Sequence, residues 1–208
     1  MSPWYKKIIC TLTKEKGYQI NDSTIQNPGP SLCYNLCMIK TFIIVAQTTD
    51  GFIARNSQHE ATWTSREDKK RFIEITKRAG VMVMGLNTFK TFPSPLPGRL
   101  HIVYSPDENA SENNIPGVVE YTKDSPADLI KKLEERGFTE VAICGGTTIY
   151  TMFMKSGLVE TLYLTIEPKL FGKGMGIFND DLDVKMGLVN KEITEGGTIL
   201  LEYNTISN

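Results

Sequence analysis

Residues 143–150 read ICGGTTIY, two adjacent glycines set between an apolar run, VAIC at 141–144, and a segment patterned like the start of a helix. Glycine costs roughly 0.5–1 kcal/mol relative to alanine inside a regular element, so a pair at a strand end asks for a reason. In open α/β sheets, ligands bind beyond the carboxyl ends of strands, where helix N-termini present unpaired amides and a partial positive charge. Gly145 and Gly146 stand at such a place. Without β-carbons they let a phosphate reach the backbone, and Thr147 and Thr148 add hydroxyl donors. Close packing of strand on helix would ask for the same two glycines. The spacing is neither G-x-G-x-x-G nor a P-loop, so the motif alone does not choose between these readings.

A second strand-glycine-helix junction lies in VMVMGLNTFKTF, where Gly85 closes an apolar run and Asn87 and Thr88 open a helical turn. Two such junctions suit a dinucleotide with two phosphate groups. Around them, runs of strand length (TFIIVAQ, VMVMG, LHIVYS, VVEYT, EVAICGG, ETLYLTIEP) alternate with helical patterns (SREDKKRFIEITKR, SPADLIKKLEERG, TTIYTMFMKSG). The stretch LVNKEITEGGTILLEYN reads as two strands about a Gly196–Gly197 turn. The expected fold is α/β, a mixed and mostly parallel sheet with helices on both faces and an antiparallel hairpin at one edge.

The domain is expected at 38–208, behind an extension of 37 residues that carries a Pro-Gly-Pro and no sustained periodicity. That extension reads equally as a tail, an added element packed on the domain, or an upstream in-frame addition. A net charge of −1 with 40% hydrophobic residues lacks the basic excess that a phosphate backbone demands, so nucleic acid is not the expected partner. No run approaches 18 apolar residues and no signal peptide is read, so the expected compartment is the cytoplasm. Of the four cysteines, Cys10, Cys33 and Cys37 precede the domain and Cys144 lies in the opening stretch, which makes no disulfide framework. His59 and His101 stand without ligand spacing, and no metal site is expected.

In WTSREDKKRFIEITKR, Ser65 precedes Asp68 by three residues, the spacing of a capping box, although Glu is the usual partner. Helical spacing also puts Asp68, Phe72 and Ile75 on one face. An acid on an apolar stripe is either part of the cap or a buried group that needs a partner. A carboxylate among Phe72, Phe92 and Leu96 would hold its proton more tightly than usual, and a planar amino-heterocycle could meet it with two parallel N–H groups.

These motifs together resemble dihydrofolate reductase and its superfamily, which includes the reductase domain of riboflavin biosynthesis. The resemblance runs from about Met38 onward through IIVAQTTDGFIARN, W-x4-D-x3-F at Trp63, Asp68 and Phe72, MGLNTFKTFPSPLPGRLHIVYS, ICGGTTIY, and LYLT at 162–165. It implies a sheet of about eight strands and NADPH-dependent reduction of 7,8-dihydrofolate by hydride transfer to pterin C6. Trp63, Asp68 and Thr165 would serve the chemistry. Ile44, Ala46, Asp68, Phe72 and Thr165 would line the pterin pocket, Phe92 and Leu96 would flank the aminobenzoyl portion, and Arg99 would grip the glutamate carboxylate. The cofactor side would comprise Ala46, Ile53, Gly85, Asn87, Thr88, Ser105, Lys123, Cys144, Gly145, Gly146, Thr147, Thr148, Ile149 and Tyr150. The segment 50–63 matches a mobile loop that closes over the nicotinamide. The expected ligand is a small molecule, dihydrofolate, and the expected assembly a monomer or homodimer.

Three departures keep other readings open. Leu86 stands where the family usually has an arginine, which leaves NADH beside NADPH. FGKGMGIF at 171–178 looks more like the riboflavin branch, a reductase of a ribosylamino-pyrimidine, and the 37-residue extension has no counterpart. A nucleotide-binding module without catalysis is the third reading.

Overall fold

The computed structural model describes residues 39–206; the extension at 1–37, with Cys10, Cys33 and Cys37, lies outside them. The described chain runs β1 (Lys40–Thr48), α1 (Arg66–Ala79), β2 (Val81–Gly85), α2 (Leu86–Lys90), β3 (Leu100–Tyr104), β4 (Val119–Thr122), α3 (Pro126–Glu135), β5 (Glu140–Gly145), α4 (Thr147–Lys155), β6 (Val159–Glu167), β7 (Met186–Ile193) and β8 (Ile199–Thr205). The eight strands form one sheet in the order β4-β3-β2-β5-β1-β6-β8-β7. Pairing is parallel from β4 across to β6, and β8 runs antiparallel to both β6 and β7.

The central strands are apolar on both faces, as a sheet covered twice requires. Phe42 to Val45, Val81 to Met84 and Val141 to Ile143 are all buried. One face packs Phe42, Ile44, Met82, Met84 and Cys144 against Ile75 and Ala79 of α1 and Phe89 of α2. The other packs Ile43, Val45, Val83 and Ile143 against Leu129 and Leu133 of α3 and Ile149, Tyr150 and Phe153 of α4.

Helix α1 starts and stops as its sequence dictates. The Ser65 hydroxyl accepts from the Asp68 amide at 3.2 Å, and Gly80 takes the left-handed conformation at φ +71° while its amide bonds Thr76 O. Helix α3 has Ser125 as its cap and Pro126 in its first turn. The Gly196–Gly197 turn joins β7 to β8 as expected, with Gly197 N donating to Thr194 O at 3.0 Å. The hairpin adds to one edge of the sheet as expected, with β8 pairing with β6 and β7 outermost.

Candidate active site

The capping residue and the acid of SxxD turn out to do separate jobs. Ser65 caps α1, while the Asp68 side chain turns toward β6, where side chains alternate faces. Tyr163, Thr165 and Glu167 share the face beneath α1 and meet three of its positions in order. The Arg71 guanidinium lies 5.3 Å from the Tyr163 ring centre and donates to Leu164 O and Leu201 O at 3.2 and 2.7 Å. Asp68 meets the hydroxyl of Thr165, which is buried. The Ser65 amide donates to Glu167 Oε1 at 2.8 Å.

Burial is the main reason that Asp68 holds its proton above the ordinary carboxylate range. The Thr165 and Thr64 hydroxyls oppose it, the Glu167 charge adds to it, and Arg71 opposes it weakly. Phe72 and Phe92 stack with ring centres 6.5 Å apart and planes at 19°, forming an apolar wall. Ile44 is buried on this face, and Ala46 pairs with Thr165 in register.

The loop carrying Leu96 and Arg99 is held from below. His101 is fully buried; its Nε2 accepts from Leu96 N at 3.1 Å, which leaves the proton on Nδ1 to reach Val118 O at 3.1 Å. Arg99 is only 6% exposed and donates to Thr76 Oγ1 at 2.9 Å and Pro97 O at 3.3 Å. Its guanidinium is therefore fixed against α1, with donors beyond those two bonds.

At the ends of β2 and β5 the two junctions interlock. Gly145 has φ +104°, and a β-carbon there would lie 2.9 Å from the Tyr150 ring and hydroxyl. A β-carbon on Gly146 would lie 3.2 Å from Thr88 Oγ1, and one on Gly85 3.4 Å from Ile149. Tyr150, buried, donates to Ile44 O at 2.9 Å. Close packing thus accounts for Gly145 by itself, and it sets the N-termini of α2 and α4 side by side. Thr147 is turned inward, donating to Gly176 O at 2.8 Å, whereas Thr148 and Asn87 are exposed. Ser105 accepts from Asp107 N at 3.2 Å and Lys123 pairs with Glu108 at 2.9 Å, so both engage the loop after β3. Cys144 is buried and its thiol is pushed up by desolvation. Ile53 is half-buried against the α4 side of the sheet.

The segment 50–63 is seated on 169–178. The Asp50 carboxylate accepts from the amides of Phe171 and Gly172 at 3.0 and 2.7 Å, and Ile53 and Ala54 exchange backbone bonds with Met175, both at 2.8 Å. Around Phe171 gather the Arg55 guanidinium at 4.4 Å, the Trp63 ring at 5.0 Å and His59 at 5.3 Å. Trp63 Nε1 is buried without a protein partner.

Two functional candidates went unseen in the sequence. Glu167 carried a readable signal, an acid two residues after Thr165 and so on the same strand face; His101 carried none beyond lying in an apolar strand. No helix among the described residues is long and apolar enough to cross a membrane.

The family model for dihydrofolate reductase matches residues 40–176. Dihydrofolate reductase type 9 of Escherichia coli is 31% identical over 127 residues, 59% of this chain and 67% of that one. Among solved structures, dihydrofolate reductase of Enterococcus faecalis in complex with NADP(H) superposes with a TM-score of 0.64 at 19% identity, over 82% of this chain and 99% of that one. The diaminohydroxyphosphoribosylaminopyrimidine deaminase/5-amino-6-(5-phosphoribosylamino)uracil reductase of Thermotoga maritima superposes with a TM-score of 0.69 at 17% identity, over 81% of this chain and 57% of that one.

Proposed function

Because this chain belongs to the dihydrofolate reductase family, we propose that it is a nicotinamide-dependent reductase of a flat, amino-substituted heterocycle, with 7,8-dihydrofolate as substrate and NADPH as reductant. The observation that carries this is Asp68. An acid desolvated against a stacked aromatic wall, with hydroxyls beside it, suits a ring edge that offers two N–H groups.

The residues present fit a dinucleotide. The first amides of α2 and α4 have no acceptor within their helices, these N-termini lie side by side, and Asn87 and Thr148 are exposed beside them. Gly85, Gly146 and Thr88 would hold the phosphate groups there, with Ala46 and Tyr150 toward the nicotinamide. When bound, the nicotinamide supplies the hydride.

What this chain contributes is position and proton. Asp68 binds the amino edge of the pterin, Phe72 holds the ring flat, and Phe92 stacked beyond it flanks the aminobenzoyl portion, so that C6 faces the reductant. The product gains a hydride at C6 and a proton at N5, and Asp68, holding a proton above the ordinary range, favours the protonated ring. Arg99, fixed by Thr76, presents its remaining donors to the carboxylate tail. Trp63 and the seated segment 50–63 exclude water.

A second reading, reduction of a ribosylamino-pyrimidine, draws on Leu86 and on the 169–178 segment as the seat of the loop. Steady-state oxidation of NADPH and NADH at 340 nm, with dihydrofolate and with the ribosylamino-pyrimidine, separates the two. Turnover of dihydrofolate that falls in Asp68→Asn at neutral pH and partly returns in acid supports the first. Turnover of the pyrimidine alone supports the second, and binding of nucleotide with no oxidation of either cofactor leaves a binding module.

A further inference from the structure

Glu167 is a carboxylate only 2% exposed, and both of its oxygens are engaged by the protein. Oε1 accepts from Ser65 N at 2.8 Å and Oε2 from Thr198 Oγ1 at 2.9 Å. Its partner Ser65 is the cap whose hydroxyl accepts from the Asp68 amide at 3.2 Å, so Glu167 grips the turn of chain from which Asp68 projects. Its strand neighbour on the same face, Thr165, is the residue that meets the Asp68 carboxyl. A buried acid, Glu167, and a half-buried one, Asp68, therefore share one small region, joined through one capping residue and one strand. An arrangement that served only to fasten α1 to β6 would be met by a neutral acceptor, at a far smaller desolvation cost.

We propose that Glu167, a buried carboxylate, is a positioning residue that acts through Asp68: it holds the capping turn from which Asp68 projects and so fixes where the Asp68 carboxyl sits. The charged and titratable groups that face Asp68 are Arg71 of its own helix, Glu167 of β6 and Tyr150 of α4. Arg71 is the attractive member, but its guanidinium is spent on two carbonyls and the Tyr163 face. Glu167 is the repulsive one, and its direction of action is the same as that of burial. The role in catalysis rests on the reductase reading; the coupling of the two acids does not.

Glu167→Gln tests this cleanly, because glutamine can accept from Ser65 N and donate to the Thr198 hydroxyl, keeping both bonds while removing the charge. The titration of Asp68 is followed by carbon-13 NMR of labelled aspartate, its signal identified by its loss in Asp68→Asn. In Glu167→Gln the Asp68 midpoint should move to lower pH. In the unaltered protein the Asp68 midpoint should lie above the ordinary carboxylate value. The pH profile of kcat for dihydrofolate should move down with the midpoint, so that the variant loses more activity at pH 8 than at pH 6 while KM changes little. A folded variant with an unmoved Asp68 midpoint, or an Asp68 midpoint at or below the ordinary carboxylate value in the unaltered protein should the variant fail to fold, overturns the proposal. A uniform loss of kcat at every pH assigns Glu167 a structural role alone and also overturns it. Moved titration with no turnover of dihydrofolate upholds the coupling and removes the reductase reading.

Discussion

Replacing Gly145 with alanine should destabilise the protein far more than the same change at Gly146. At Gly145 two costs add. The φ of +104° disfavours any β-carbon, and a left-handed conformation costs roughly 1–2 kcal/mol for an L-residue. The new carbon would also stand 2.9 Å from three atoms of a buried Tyr150 ring that is anchored by its bond to Ile44 O, and overpacking of this kind costs roughly 1–3 kcal/mol. The sum is about 2–5 kcal/mol, or a fall in Tm of roughly 4–20 °C at about 2–4 °C per kcal/mol for a domain of this size. Gly146 has φ −74°, and its β-carbon would meet only the Thr88 hydroxyl at 3.2 Å, so its alanine variant should keep its Tm and lose cofactor affinity. Urea titrations of both variants and of Gly145→Ala/Tyr150→Leu decide the matter. Removing the ring should recover the overpacking part, so the double variant should be more stable than the two single changes predict. Additivity within about 0.5 kcal/mol would refute the packing account, and equal Tm losses at both glycines would refute the contrast between them.

Other consequences follow from the charged groups and the loop. The folded protein holds the Asp68 proton above the ordinary value of 3.8, so the charged form is disfavoured by folding; stability is lost as pH rises from that value through the folded midpoint, and the loss persists above it. Asp68→Asn should therefore be more stable than the parent at pH 7 by urea titration, with the gap closing below the ordinary carboxylate value. For His101 the sign is opposite: burial lowers its affinity for protons below the ordinary 6.5, so stability falls as pH drops below that value. Hydrogen exchange at the Leu96 amide, corrected for intrinsic rates, should accelerate between pH 7 and pH 5, and an unchanged protection factor would count against His101 as the acceptor. Asp50→Ala should speed exchange at Ile53 and Met175 and raise KM for the nicotinamide cofactor while leaving the Leu96 amide unaffected; equal protection in variant and parent would show that Asp50 does not seat the loop.

How much of this was legible in the sequence differs from residue to residue. Runs such as TFIIVAQ and VMVMG are apolar on both faces and could only be interior strands, and Ser65 and Gly80 mark both ends of α1. Asp68 was visible because i, i+4 and i+7 fall together on a helix. For Glu167 the two-residue spacing from Thr165 told only of a shared strand face; its burial was not legible, because its partners arrive from 102 and 31 residues away. The glycine pair looked like one motif with one purpose. Tyr150 lies only five residues after Gly145, yet whether its ring folds back over that glycine depends on the bond to Ile44, more than 100 residues earlier. FGKGMGIF announced a difference without saying what it touched: a β-carbon on Gly174 would stand 2.4 Å from Ala54 O, a clash with a strand-like partner that the sequence does not reveal.

The order of the last two strands has a consequence for how the chain is made. Strand β7 precedes β8 in the sequence but reaches the sheet only through it. While the polypeptide emerges from a ribosome, β7 leaves first and finds no backbone neighbour, and β6 stays open along one side until Ile199–Thr205 follow. The final step of assembly is thus a zippering of two seams by a single strand, and a nascent chain halted before Ile199 would expose the flank of β6 and a solitary β7 to any other unpaired edge.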